Sequence, residues 1–202
     1  MSTRLTKIQF TDKINCKQGL QSWDGRSAMF SIGDVIIYSV HGLSQIDDIC
    51  EKTVSNVTKT YYVLHPLEQS NLTISTPIDN DKVVMLKMMN REEAKELLDS
   101  FKQPGLSWID DSKQRTAKYK DMIKVGNRKN IARIVTTLMK KNHELKLKDR
   151  KLYDQDRKML TTIQNILFKE MAVALDTSFD NIFEQVDKMV KKQLVKKQYK
   201  AC

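Results

Sequence analysis

Cysteine, histidine, proline and glycine are all sparse in this sequence. The three cysteines, Cys16, Cys50 and Cys202, stand far apart and form no CxxC or other ligand spacing. That excludes a disulfide framework and a zinc knuckle and points to a reducing, cytoplasmic setting. No stretch reaches the roughly 18 consecutive apolar residues that a membrane-spanning helix needs. Nor does the lysine-, glutamine- and aspartate-dotted start of the chain hold a signal-peptide core. No membrane partner is expected. The glycine patterns that cradle phosphates or bend a nucleophile elbow (GxGxxG, GxxxxGK[ST], GxSxG) do not occur. His41, His65 and His143 fall in a turn, at a strand end and at a helix end, none of them spaced i, i+4 from a second ligand. The adjacent acids Asp47-Asp48 and Asp110-Asp111 read as turn and cap residues. No catalytic set, metal or cofactor is therefore expected, and an enzyme is the least supported class.

What is present divides by charge. The 202 residues are 40% hydrophobic and 30% charged, enough for one large domain or two small ones with cores of their own. Residues 1–80 hold 7 basic and 8 acidic side chains, whereas residues 113–158 alone hold 16 and 5. A neutral half joined to a half with a basic segment reads as two modules with two tasks.

The hydrophobic period divides the chain at the same place. Residues 1–28 show no sustained period, and Met29-Phe30 opens a clean pattern. Residues 1–28 are expected to be a disordered or non-native extension, with Met29 the biological start. From 30 to 89 the period is two. Short runs at Val35–Tyr38, Leu43–Ile49, Thr58–His65, Leu72–Thr76 and Val83–Leu86 are broken by turn signals such as Gly33-Asp34 and His41-Gly42. Five short strands with no helix between them predict a small antiparallel barrel, whose exposed edges suit strand addition by a partner.

From Asn90 the period becomes 3.6. Asn90 and Glu93 form a capping pair for a first helix that ends near Phe101, before Pro104-Gly105. Asp110 or Asp111 caps a second helix over about 112–124 and Asn127 starts a third. A fourth helix spans roughly 150–175, and Thr177 or Ser178 caps a fifth. The apolar stripes Ile131, Ile134, Val135, Leu138, Met139 and Leu160, Ile163, Leu167, Met171 predict a compact bundle.

Those stripes leave the basic residues outside. Arg115, Lys118 and Lys120 lie on the second helix, Lys140 and Lys141 close the third, and Arg157 and Lys158 open the fourth. Between 113 and 143 the only acid is Asp121, so i, i+4 pairing cannot neutralise this face. Such density suits contacts to several phosphates with little base discrimination. Trp108, in the loop Gly105-Leu106-Ser107-Trp108-Ile109, reads either as part of the bundle's top or as a flat wedge for unstacked bases.

The opening Met29-Phe30-Ser-Ile-Gly33-Asp34-Val-Ile-Ile-Tyr38-Ser-Val-His41-Gly42 resembles that of the CarD/CdnL family of bacterial transcription regulators. Tyr61–Leu64 and Leu72–Pro77 match its later strands, and Gly126-Asn127, Ile131-Ala132, Met159-Leu160 and Glu170–Ala172 fit its helical half, so that the likeness covers about 29–190. The resemblance implies an α+β chain of two domains. The first, 29–89, is a Tudor-like barrel that docks on the RNA polymerase β subunit, a module also found in the transcription-repair coupling factor. The second, 90–202, is a basic helical bundle that touches promoter DNA at the upstream edge of the melted bubble, where a tryptophan wedges into the minor groove. Carried over, the wedge is Trp108, with Arg115, Lys118, Lys140, Lys141, Arg157 and Lys158 as phosphate contacts. Polymerase docks on Leu72, Thr73, Ile74, Ser75 and Thr76 and on a neighbouring strand near Lys52. Two departures are plain. Ser75 stands where the family often has a basic residue, and Trp108 is followed by Asp110-Asp111 before any arginine. With no heptad seam in the last helix, a monomer is expected. A protein-interaction adaptor, its barrel on another protein and its helices on RNA or an acidic partner, is the alternative.

Overall fold

The computed structural model describes residues 30–38, 41–54, 57–80 and 83–199. The expected extension and the start at Met29 lie outside the described residues. Five antiparallel strands come first: β1 (Val35–Tyr38), β2 (Gly42–Val54), β3 (Val57–Pro66), β4 (Ile74–Pro77) and β5 (Met85–Lys87). Their order in the sheet is β4-β3-β2-β1-β5. The expected barrel does not close, because β4 and β5 are both edges. Closure would require these strands to pair with each other, and among the described residues β4 pairs with β3 and β5 with β1. The sheet's length lies instead in the β2–β3 hairpin, whose pairing runs from Ser44↔Pro66 to Val54↔Val57 with a bulge between Ile46 and Asp48. Bulges sharpen the twist, and the curled sheet closes over Phe30, Ile36, Tyr38, Ile46, Tyr62 and Leu64. Phe30 meets Tyr62 edge to face at 5.9 Å and donates its N–H to the Tyr62 hydroxyl at 3.2 Å.

Five helices follow: α1 (Arg91–Ser100), α2 (Ser112–Lys124), α3 (Arg128–Lys146), α4 (Asp154–Leu175) and α5 (Phe179–Tyr199). Each start except that of α4 follows its local chemistry. Asn90 and Glu93 satisfy each other's backbone N–H groups in a capping box. Asp111 accepts from Gln114 N at 2.7 Å, Asn127 from Asn130 N at 3.0 Å, and Ser178 from Asn181 N at 3.1 Å. The fourth helix begins four residues later than the period suggests. Asp149 takes a left-handed φ of 52°, and Leu152 leaves the helical path to bury itself, 5% exposed, in the bundle core. That core is separate from the sheet's and is built on Phe101, Tyr119, Leu138, Phe168, Met171 and Ile182.

The two parts are joined at a buried carboxylate. Glu170, 2% exposed on α4, accepts from the Met89 N–H at 2.9 Å and from Arg128 at 2.5 and 3.0 Å. Arg128 also donates to the Lys87 carbonyl at 2.5 Å. One arginine at the start of α3 thus ties α4 to the segment that leaves the sheet.

Candidate functional site

Trp108 sits in the connection between α1 and α2, which is held rather than loose. At Gly105 a Cβ would stand 2.4 Å from Thr137 Oγ1 and 2.9 Å from Thr137 N, so only glycine lets the chain run this close to α3. Thr137 Oγ1 then accepts from Leu106 N at 2.6 Å and donates to Arg133 O at 2.8 Å. Further along, Arg115 donates to the carbonyls of Ile109 and Asp110 at 2.5 and 3.2 Å. Its guanidinium lies 4.1 Å from the Trp108 ring centroid, and the Lys141 ammonium lies 4.8 Å from it. Trp108 is half-buried against the bundle core and carries two cations on its ring.

Arg115 cannot serve as a phosphate contact in this arrangement. It is 3% exposed and pairs bidentately with Asp156, 0% exposed, at 2.6 and 3.1 Å. Its i+4 neighbour Tyr119 faces the same interior, and its hydroxyl has no hydrogen-bond partner among the described residues. Burial pushes the Tyr119 phenol above its usual range; the Arg115 charge opposes this and that of Asp156 adds to it. Asp156 was invisible as a partner in the sequence because an acid in a first helical turn reads as dipole chemistry.

The other basic residues do reach the surface. Lys118, Arg157 and Lys158 are exposed and Lys140 and Lys141 are half-buried. Arg157 is partly neutralised by Asp154 at 2.7 Å, while Lys118, Lys120, Lys124 and Lys158 form no ion pair among the described residues. The two aspartates after Trp108 have separate duties: Asp111 caps α2, and Asp110 is exposed, its carbonyl bound by Arg115.

On the sheet, β4 is an outer edge. Ile78 N donates to Thr60 O at 3.0 Å, which sets the alternation of the ladder. The backbone groups of Thr76 and Ile74 therefore face β3, and the N–H and C=O of Ser75 face outward. Pro77 has no N–H to offer and ends that edge. Leu72, Thr73 and Ser75 are exposed and Ile74 is half-buried. The Thr76 side chain is not surface: it is 2% exposed and its hydroxyl accepts from Asn80 at 3.0 Å. Lys52 is not on the strand next to β4, because β3 lies between. It reaches across β3, with Nζ 5.7 Å from the Tyr61 ring centroid, and donates to Ser75 Oγ at 2.7 Å.

The histidines are paired in ways the sequence does not announce. His65 meets Asp47 at the β2 bulge at 2.8 Å, and His143 on α3 meets Asp187 on α5 at 2.8 Å. Burial raises the Asp187 carboxyl, but hydrogen bonds from Lys191 and His143 outweigh it and hold the group below the usual carboxylate range. Among the described residues no group of three or more His, Cys, Asp and Glu side chains stands where it could hold a metal ion, and no helix is long and apolar enough to cross a membrane.

Known proteins share both halves. Residues 30–89 match the family model described as the CarD-like/TRCF RID domain, and residues 96–187 match that of the CarD C-terminal domain. A Bacillus subtilis (strain 168) protein named "Putative transcription factor YdeB" is 29% identical over 146 residues, which cover 72% of this chain and 92% of that protein.

Proposed function

Since this chain belongs to the CarD family of transcription regulators, we propose that it docks on the RNA polymerase β subunit and holds upstream promoter DNA without base-specific readout, stabilising the open complex. The observation that carries this reading is β4: a strand edge, unpaired among the described residues, that presents the Ser75 N–H and C=O, with the Lys52 ammonium held on Ser75 Oγ at 2.7 Å. A polymerase strand added there would gain backbone hydrogen bonds from the edge. It would meet its cation from β2, although the strand's own side chain is a serine. The curled sheet serves as the Tudor-like domain.

On the helical side, Trp108 is the wedge and Lys118, Lys140, Lys141, Arg157 and Lys158 are the phosphate contacts. Arg115 changes role: it positions Trp108 from below through its buried pair with Asp156. The protein acts as a monomer in the cytoplasm. Tethering by polymerase raises the local concentration of a weak DNA binder. Contacts made only with melted DNA then shift the closed–open equilibrium by their differential affinity and no more. One or two kcal/mol at Trp108 corresponds to a roughly five- to thirtyfold change in open-complex occupancy.

The test uses the full chain with RNA polymerase and a promoter fragment. Trp108→Ala is expected to shorten open-complex lifetime about fivefold or more while polymerase retention is unchanged. An unchanged lifetime removes the wedge, and failure of the wild-type chain to retain polymerase removes the docking.

A further inference from the structure

A groove of about 650 Å³ lies between the sheet and the helices, bordered by β1, β5, α2, α3 and α4. Its volume is within the range, roughly 300–1,000 Å³, that small-molecule sites occupy. The floor is aliphatic, with Leu86, Ile123, Ile131, Met159, Ile163 and Ile166. All of these except Ile163 remain partly exposed, so the apolar surface is gathered in one place with no cover among the described residues. Lys120, Lys124 and Lys158 line the same groove, exposed and without ion pairs among the described residues. The one further cation there, Arg128, is already neutralised by Glu170. That pair also bonds Lys87 O and Met89 N, so the junction that shapes the groove is pre-formed.

The chemistry of the lining narrows the occupant. No Phe, Tyr, Trp or His is among the lining residues, so a nucleobase or other flat ring finds no plate to stack on. An alkyl chain gains from every methylene laid on isoleucine, leucine and methionine. Three unpaired ammonium groups beside that floor call for an anion.

We propose that the groove binds a single-chain amphipathic anion, its alkyl chain along the aliphatic floor and its carboxylate or phosphate head against Lys120, Lys124 and Lys158. The inference does not rest on the DNA reading, although Lys158 belongs to both surfaces. An occupied groove therefore competes for one phosphate contact.

The test is calorimetric titration of the full chain at low ionic strength with decanoate and decyl phosphate below their micellar concentrations, with decanol and inorganic phosphate alongside. Decanoate and decyl phosphate are expected to saturate one site per chain. Octanoate should bind roughly tenfold more weakly than decanoate. Decanol, which lacks the charge, and inorganic phosphate, which lacks the chain, should bind far more weakly. The exposed pair Lys120→Ala with Lys124→Ala is expected to weaken decanoate at least tenfold while the thermal unfolding midpoint stays near wild type. Met159→Trp, which fills the floor, should do the same without altering charge. No saturable decanoate binding, several equivalent sites, or equal binding of decanol and decanoate would each overturn the proposal. Promoter affinity measured without amphiphile is independent of these titrations, so the DNA reading and this one fail separately.

Discussion

Arg115 and Asp156 show how a residue's type can mislead about its role. An arginine on a lysine-rich helix reads as a surface charge, yet this one is 3% exposed and its carboxylate partner 0%. Two ions removed from water hold each other in place, and deleting one strands the other. Arg115→Met is therefore expected to cost about 3–5 kcal/mol in denaturant unfolding, with Arg115→Met plus Asp156→Leu recovering much of it. If the single variant is as stable as wild type, the pair does not hold the Trp108 loop. Asp187 makes a second residue-scale prediction. Its folded-state pKa lies below its ordinary value of 3.8, so the unfolded chain binds a proton more readily. The stability that the carboxylate contributes is present above the unfolded pKa and is lost as pH falls through the folded one. Asp187→Asn should be less stable than wild type near pH 5, with the gap closing as pH falls below about 4. Chemical denaturation from about pH 5 downward measures it, and a gap that widens below about pH 4 would contradict the sign.

At the scale of elements, β4 separates backbone from side-chain function. The Ser75 N–H faces away from β3, so replacing it removes an outward-facing donor, the one proposed to receive polymerase, without touching the ladder. Ser75→Pro is expected to leave the unfolding midpoint within a few degrees of wild type and to reduce polymerase retention about tenfold or more, the loss of a strand-addition hydrogen bond and its register. Unchanged retention with an intact fold would move the docking surface off this edge. The α1–α2 connection makes a similar point: Gly105 against Thr137 turns a loop into a fixed mount for Trp108.

At the scale of the whole molecule, charge and fold are partitioned alike. Residues 113–158, with 16 basic and 5 acidic side chains, supply the exposed lysines of α2 and α4, and the sheet is left near neutral. Binding that rests on phosphate contacts falls linearly on a log–log plot against salt, and each contact removed lowers the slope by about 0.9. Lys118→Ala and Lys158→Ala should each reduce the slope of promoter-fragment binding by about that amount and weaken all sequences alike. A slope unchanged by both variants would place the phosphate contacts elsewhere.

The chain by itself determined the order of elements, because period two up to Leu86 and period 3.6 from Asn90 each require one kind of secondary structure to bury their apolar residues. Asn90, Asp111, Asn127 and Ser178 set four helix starts locally, since a cap needs only its own backbone three residues on. Edge closure was not legible. The period foresees strands but not which of them pair, and β4 and β5 each pair on one side, with β3 and β1. Nor were Arg115–Asp156, 41 residues apart, Lys52–Ser75, 23 apart, or Arg128–Glu170, 42 apart. Which of sixteen basic residues are buried, which hold the two halves together and which are left for a partner depends on where distant carboxylates and carbonyls arrive. Only the packed chain decides that, because a charge leaves water only where folding has already placed its partner.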